Sequence, residues 1–83
     1  MDAGERLKIR AFVEQLLGER DDHKAFGDAE SLIKAGRLDS LAVVKLVTFL
    51  EAEFAVNFDD VEFDPERFDT VESVGAMVEE SRR

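Results

Sequence analysis

The sequence predicts a small all-α domain made of three principal helices and one short helix. Two observations carry this prediction: apolar residues recur at helical spacing in separate stretches, and no stretch shows the alternation of a half-buried strand. The length of 83 residues fits one domain, residues 1-83, with a small core. A core of that size leaves little room for a deep catalytic cleft.

The first helix is predicted over residues 5–17. Its apolar side chains recur near the helical period, and Gly18 follows as a residue that commonly ends helices. The apolar set consists of Leu7, Ile9, Phe12, Val13, Leu16 and Leu17. This spacing is typical of an amphipathic helix with one face on the core.

Residues 18–38 are predicted to form a long loop. The segment is charged, contains Gly27 and Gly36, and has few apolar anchors, namely Phe26, Leu32, Ile33 and Leu38. A short helical turn over residues 29–34 is an open alternative. Structureless loops of about 20 residues are uncommon in compact domains and are usually functional. The residues that end this loop are therefore candidates for a functional site.

The second helix is predicted to run from Ser40 to Phe54, because this stretch has the length of a helix and contains neither Gly nor Pro. At about 100° per residue, one sector of the helix collects its core side chains, which are Val43, Leu46, Val47, Leu50 and Phe54. The opposite side holds Leu41, Val44, Lys45, Thr48 and Ala52. The apolar members of that side indicate a docking surface, although isolated exposed apolar residues are also normal on proteins.

The tripeptide Asp39-Ser40-Leu41 stands at the start of this helix. Asp and Ser are favoured N-caps, because their side-chain oxygens accept bonds from unpaired first-turn amides. Ser40 is therefore expected to present its hydroxyl to solvent at a helix start, where the helix dipole favours an attached phosphate. Ordinary capping alone would also explain the tripeptide.

The C-terminal part is predicted to contain the short helix and the last principal helix. Asp64 resembles a cap before Pro65, and one helical turn follows to Phe68. The last helix is expected to begin at Asp69 or Thr70, with Asp69 and Glu72 as a capping box. Its inward stripe consists of Val71, Val74, Met77 and Val78, and Gly75 would permit close packing.

Composition limits the kinds of partner and compartment. Twenty acidic against eleven basic residues give a net charge of -9, which disfavours nucleic acid and anionic membranes and favours basic protein surfaces. The acids concentrate between Asp59 and Glu72. The sequence has no cysteine, no apolar run long enough for a transmembrane segment and no secretory apolar segment at Met1–Arg10. The protein is expected to be cytoplasmic.

Sequence patterns for catalysis or metal binding are weak. Asp60, Glu62 and Asp64 have the spacing that begins a calcium loop, but Pro65 occupies the position of the required glycine. A Ser-His-Asp hydrolase would have to use His23, the only histidine, and the sequence around Ser40 lacks a nucleophile elbow. We therefore predict no catalytic residue and no metal site.

The string Gly36-Arg37-Leu38-Asp39-Ser40-Leu41 resembles the phosphopantetheine attachment region of acyl carrier proteins. The resemblance continues through the second helix and into the start of the last one, at Val44, Leu46, Val47, Leu50, Glu51, Glu53-Phe54 and Thr70–Val74. It implies the small four-helix bundle of that family, with a long loop between helices 1 and 2, and a single carrier domain over residues 1-83.

The same resemblance implies a function. A phosphopantetheinyl transferase would attach 4'-phosphopantetheine from coenzyme A to Ser40, and the terminal thiol would carry cargo as a thioester. The protein would be a carrier, not an enzyme, and is expected to be a monomer. Asp39 would cap the helix and help recognition by the transferase, and the partner-facing positions would be Leu41, Val44, Thr48 and Glu51. Lys45, with Ala42 and Val43, departs from the polar or acidic residues common in fatty-acid carriers.

The cargo is suggested only by short tracts. Glu62-Phe63-Asp64 and Phe68-Asp69-Thr70 resemble the corresponding stretch of D-alanyl carrier proteins, which favours an aminoacyl or D-alanyl cargo. An adenylating ligase or a synthase would load it and an acceptor transferase would take it. The alternatives are a specialised fatty-acyl or polyketide carrier and, in a different class, an unmodified acidic interaction module that docks through Leu41 and Val44.

Overall fold

The computed structural model describes residues 3–56 and 65–81. These residues form three α-helices and one 3₁₀ helix: α1 (Ala3–Gly18), α2 (Ser40–Phe54), the 3₁₀ helix (Pro65–Phe68) and α3 (Val71–Ser81). The all-α class and the order of elements are confirmed. Helix α2 has the predicted bounds, whereas α1 begins two residues before and ends one residue after the prediction of 5–17.

Helix α1 holds the described part of the bundle together. It packs against both α2 and α3, and the 3₁₀ helix packs against α3. Apolar side chains from every helix and from the α1–α2 loop meet in one core, and burial of this surface is the main force that stabilises the fold. The core consists of Ile9, Val13, Leu16, Leu17, Phe26, Leu32, Leu38, Ala42, Val43, Leu46, Leu50, Val56, Phe68, Val71, Val74, Met77 and Val78.

Leu7 is an exception to the predicted apolar face of α1. Its residue surface is 65% exposed, whereas Ile9, Val13, Leu16 and Leu17 are buried. Two residues along a helix rotate the side chain by about 200°, so Leu7 lies opposite Ile9. The prediction that Leu7 belongs to the core face is wrong.

The loop between α1 and α2 contains turns at residues 19–21, 28–29 and 33–36 and no helical segment. The open alternative of a helical turn over residues 29–34 is therefore wrong. The reason is that the backbone amides there bond outward: Ile33 N and Lys34 N both donate to Asp69 Oδ1, at 2.8 and 3.0 Å. Leu32 N donates to the Asp69 carbonyl at 2.8 Å, so the loop is tied to the start of α3.

Asp69 does not form the capping box that the sequence predicts. Its carboxylate is occupied by the loop, and Ser31 Oγ donates to Asp69 Oδ2. Thr70 caps α3 in its place: Ser73 N donates to Thr70 Oγ1 at 2.9 Å, and Thr70 N donates to Ser73 Oγ at 3.3 Å. The reciprocal geometry of a capping box is present, with Thr70 and Ser73 in the roles assigned to Asp69 and Glu72.

The other predictions for the C-terminal part concern the buried side of α3, the start of the 3₁₀ helix and the residues just before it. Val71, Val74, Met77 and Val78 are buried, as the predicted stripe requires, and Gly75 is buried beside them. Pro65 begins the 3₁₀ helix. Three predictions lie outside the described residues: the Asp64 cap, the calcium-like spacing of Asp60, Glu62 and Asp64, and the tract at Glu62 and Phe63.

Candidate functional site

The candidate site is the junction at which the long loop ends and α2 begins. Ser40 is the first residue of α2 and is exposed. Asp39 is the N-cap, with φ -102° and ψ -178°, and its Oδ1 accepts a hydrogen bond from Ala42 N at 2.9 Å. The Asp39 carbonyl accepts from Val43 N at 3.1 Å. The predicted cap is thus confirmed for Asp39, and the hydroxyl of its neighbour Ser40 is left accessible.

The loop approaches Ser40 through a tight turn. Gly36 has φ +78°, in the left-handed region that favours glycine, and its N–H donates to the Ile33 carbonyl at 2.9 Å. The amides of Arg37 and Leu38 both donate to the Leu32 carbonyl, at 2.8 and 3.1 Å. Because Leu32 and Leu38 are buried in the core, the turn fixes the direction from which the chain enters α2.

Arg37 fastens this turn to the first half of the loop. Its guanidinium donates to both carboxylate oxygens of Asp22, at 2.8 and 3.0 Å, and to Glu30 Oε2 at 2.6 Å. It also donates to the carbonyls of Lys24 and Ala25, at 2.8 and 3.3 Å. The hydrogen bond from Arg37 lowers the pKa of Asp22 to about 2, and the same bond raises the pKa of Arg37 above its usual value.

The surface beside Ser40 is apolar and exposed. Leu41 and Val44 are 63% and 58% exposed, and Lys45, Thr48 and Ala52 are exposed on the same side of α2. The predicted division of α2 into a core side and an exposed side therefore holds for these residues. Glu51, also predicted to face partners, is half-buried.

Two of the three positions that distinguish this helix from fatty-acid carriers present almost no surface to a partner. Ala42 and Val43 are buried in the core, whereas Lys45 is exposed. The three positions look alike in the sequence, because position along the chain does not show the direction of a side chain. Only Lys45 of these three changes the charge of the exposed face.

The two residues that follow α1, Glu19 and Arg20, also lie at this junction, which the sequence does not indicate. Arg20 Nη1 donates to the carbonyl of Arg37, and Lys45 Nζ lies 3.1 Å from Glu19 Oε2. A depression of about 200 Å³ between α1 and α2 is lined by Leu16, Glu19, Arg20, Asp39, Leu41, Ala42 and Lys45. No local signal reveals these contacts, since about twenty residues of chain separate the two groups.

His23 and the acidic residues do not assemble a second site in the described part of the chain. His23 is exposed, in the loop. No group of three or more His, Cys, Asp or Glu side chains that could hold a metal ion occurs among residues 3–56 and 65–81. In the same residues, no helix combines the length and hydropathy that a bilayer span requires.

Comparisons with known proteins bear on the whole fold. The sequence matches the family model described as the phosphopantetheine attachment site over residues 7–80, which includes the Ser40 junction and all four helices in whole or in part. No match to a curated protein was found. Members of the matched family bear 4'-phosphopantetheine covalently on a serine and serve as carriers. The chain belongs to the phosphopantetheine attachment family and is a carrier protein for that prosthetic group.

Proposed function

We propose that Ser40 is the attachment residue and that the protein carries an acyl or aminoacyl group on the arm fixed there. The observation that carries this proposal is the Ser40 junction itself: an exposed hydroxyl at the first position of α2, with the neighbouring Asp39 occupied as the cap. Capping does not require the Ser40 hydroxyl, because Asp39 Oδ1 already accepts from Ala42 N. The hydroxyl is thus free for modification.

The residues around Ser40 fit a phosphodiester. The first amides of a helix lack intrahelical acceptors and create a partial positive charge, which favours an attached phosphate. Lys45 and Arg20 line the depression beside Ser40, but Glu19 and Asp39 line it as well and offset their charge, so the helix start is the feature that favours the phosphate. Arg37 and Gly36 hold the end of the loop that leads into Ser40.

The proposed attachment is the transfer of a phosphopantetheinyl group to the Ser40 hydroxyl. Ser40 Oγ attacks the phosphorus nearest the pantetheine part of coenzyme A and forms a P–O bond, and its proton passes to a base supplied by the transferase. The pyrophosphate P–O bond breaks, and adenosine 3',5'-bisphosphate leaves with the electron pair. When bound, the group supplies a terminal thiol that holds cargo as a thioester, which a chain without cysteine could not otherwise do.

The same proposal includes a cargo and the enzymes that load it and accept it. Phe68-Asp69-Thr70 favours an aminoacyl or D-alanyl cargo, loaded by an adenylating ligase and passed to an acceptor transferase. A specialised fatty-acyl or polyketide carrier is the second candidate, and the exposed apolar pair Leu41 and Val44 supports docking of either set of enzymes. Asp39, Lys45, Thr48 and Glu51 complete the proposed docking surface.

Intact-mass measurement tests the attachment. Apo protein incubated with coenzyme A and a broad-specificity phosphopantetheinyl transferase should gain the mass of one 4'-phosphopantetheine group, and Ser40→Ala should gain none. Ser73→Ala is the matched control, because Ser73 also lies in the first turn of a helix, and it should be modified like the unaltered chain. No gain, or an equal gain in Ser40→Ala, would contradict the proposal and favour an unmodified interaction module.

Lys45 allows a test of docking specificity. A cation on this surface should weaken recognition by enzymes whose basic surfaces expect an acidic helix, so Lys45→Glu should raise the rate at which fatty-acid enzymes charge the holo protein. Lys34→Glu makes the same charge change in the α1–α2 loop and should have a smaller effect. Equal rates for Lys45→Glu and the unaltered protein would remove Lys45 from the docking surface.

A further inference from the structure

Asp69 is the only charged residue that is buried among those the structure describes, with 6% of its surface exposed. Carboxylates are almost never buried unless their charge is paired or hydrogen-bonded. Its Oδ1 accepts hydrogen bonds from the amides of Ile33 and Lys34, at 2.8 and 3.0 Å. Its Oδ2 accepts from the hydroxyl of Ser31, and its carbonyl accepts from the amide of Leu32 at 2.8 Å. Asp69, at the start of α3, therefore holds a continuous segment of the α1–α2 loop.

The loop segment that Asp69 holds also fixes the approach of the chain to Ser40. The Leu32 carbonyl accepts from the amides of Arg37 and Leu38, at 2.8 and 3.1 Å. Leu38 is 2% exposed and directly precedes the cap residue of α2. A path of hydrogen bonds thus runs from Asp69 through Leu32 to Leu38, and two residues of chain then lead to Ser40. The start of α3 and the start of α2 are mechanically connected along this path.

The exposed side of α2 is held by other contacts. Buried side chains along the helix, among them Val43, Leu46 and Leu50, fix α2 in the core. The bonds from the loop to Asp69 fix only the segment that precedes the helix. Loss of the Asp69 carboxylate should therefore loosen the entry into α2 and leave the exposed surface of the helix in place for a docking enzyme.

We propose that Asp69 is a positioning residue for the modification of Ser40, which acts by fixing, through Leu32 and Leu38, the direction in which the chain enters α2. The inference rests on the proposed attachment at Ser40. Transfer of a phosphoryl group depends on the position of the attacking oxygen, and a misplacement of about 1 Å can slow a reaction on the order of 100-fold. Asp69 would act on this position from the start of α3, through the loop and not by touching the reacting atoms.

The first experiment measures the modification kinetics of the full apo chain with a broad-specificity phosphopantetheinyl transferase at saturating coenzyme A. Asp69→Asn keeps the shape of the side chain but removes its charge and turns one acceptor oxygen into a donor. The kcat should fall at least about tenfold, with the KM for the carrier within about twofold, because docking uses the exposed side of α2 and attack depends on Ser40. Leu41→Asp alters the docking surface and should instead raise KM.

Val78→Ala is the control for loss of stability. Val78 is buried in α3, so its truncation destabilises the bundle and leaves the bonds between Asp69 and the loop intact. Both variants are assayed at a temperature at which circular dichroism shows them to be folded, and Val78→Ala should then keep the kcat of the unaltered chain. An equal fall of kcat in the two variants would show that stability and not position is responsible, and would overturn the proposal.

The second experiment follows the path by hydrogen exchange and NMR. In Asp69→Asn the amides of Arg37 and Leu38 should exchange at least about fivefold faster, although they donate to the Leu32 carbonyl and not to Asp69. The amide resonance of Ser40 should also shift. Faster exchange confined to the residues that donate directly to the Asp69 carboxylate would show that the effect ends within the loop, and would contradict the proposed role.

Ser31→Ala provides a milder variant if Asp69→Asn does not fold. It removes one bond to the Asp69 carboxylate and keeps both amide bonds, so kcat should fall by about two- to fivefold with KM unchanged. Absence of a mass gain on Ser40 in the unaltered chain would defeat the attachment itself. Normal modification of the unaltered chain, with kcat unchanged in the folded variants or with a change in KM alone, would overturn only the role of Asp69.

Discussion

Arg37 joins the two halves of the α1–α2 loop shortly before Ser40, the proposed attachment residue. Its planar guanidinium satisfies the carboxylates of Asp22 and Glu30 and two backbone carbonyls at once, which a lysine cannot do. Its own carbonyl accepts from Arg20, so the backbone of Arg37 is held from both sides. The position of Ser40, three residues later, depends on this set of bonds.

Arg37→Lys should loosen the loop without unfolding the bundle. We expect hydrogen exchange at the Leu38 amide to accelerate at least about tenfold, and modification of Ser40 by a phosphopantetheinyl transferase to slow, because the loop opens locally more often. The control is Arg67→Lys, which alters the ion pair with Glu80 elsewhere in the fold. Unchanged exchange at Leu38 would mean that the buried apolar anchors hold the loop by themselves.

Asp69 is the second residue on which the loop depends. Burial raises its pKa, but the hydrogen bonds from Ser31 and from the amides of Lys34 and Ile33 outweigh this effect, so its pKa lies below the usual value. The ionised carboxylate is thus stabilised in the folded state. A carboxylate that accepts this many bonds is costly to replace.

Asp69→Asn should lower the free energy of unfolding at pH 7 by about 2–3 kcal/mol, because an amide weakens the bond to Ser31 and removes the charge that strengthens the others. Since the folded pKa is lowered, the stabilisation is present above the unfolded pKa of about 4 and is lost as the pH falls through the folded pKa. Urea unfolding from pH 7 down to about pH 2 measures this, and the variant should show a shallower pH dependence.

The control for Asp69→Asn is Asp21→Asn. Asp21 is exposed and has φ +58°, a conformation that Asn also adopts readily, so the change should be within about 0.5 kcal/mol. Equal losses in the two variants would show that the bonds from the loop to Asp69 contribute little to stability.

At the scale of elements, α2 has a well-formed start and a strained end. Asp39 caps its first turn, whereas Ala55, the C-cap, has φ +54° and ψ +36° in the left-handed region. Helices commonly end with glycine in that conformation, because a side chain there costs about 1–2 kcal/mol. The residue at this position is alanine, which does not favour the left-handed conformation, so the surrounding fold imposes it.

Ala55→Gly should therefore stabilise the protein, by up to about 1 kcal/mol after the larger chain entropy of glycine is subtracted. The matched control is Ala11→Gly on the exposed side of α1, which should destabilise by about 1 kcal/mol because glycine is unfavourable within a helix. Urea midpoints measure both. A loss of stability in both variants would indicate that Ala55 relaxes to another conformation in solution.

At the scale of the whole molecule, the main electrostatic property is the net charge of -9. Ion pairs between elements reduce its effect locally, as in Arg10 with Asp28 at 2.5 Å and Lys8 with Glu53 at 2.9 Å. The excess carboxylates nevertheless repel one another across the surface of the compact domain. The same charge favours association with basic protein surfaces.

Added salt should consequently raise the melting temperature, by several degrees between about 0.02 and 0.5 M sodium chloride, because screening weakens long-range repulsion more than close pairs. Circular dichroism melts at pH 7 in the two salt concentrations provide the measurement. A flat or falling melting temperature would indicate that the ion pairs already offset the repulsion.

The sequence by itself determined the features that depend on neighbours along the chain. These are the bounds of α2, the Asp39 cap, the exposed positions of Leu41 and Val44, and the motif that identifies the family. Helical period, capping and turn preferences are local properties, so single-sequence reasoning can use them directly.

Tertiary structure decided what depends on residues far apart in sequence. Thr70 caps α3 in place of the predicted Asp69, because the loop amides of Ile33 and Lys34 donate to the Asp69 carboxylate. Ala42 is a core residue, and Glu19 forms an ion pair with Lys45, because α1 packs beside α2. Such contacts are selected by the packing of the whole fold and leave no pattern in the local sequence.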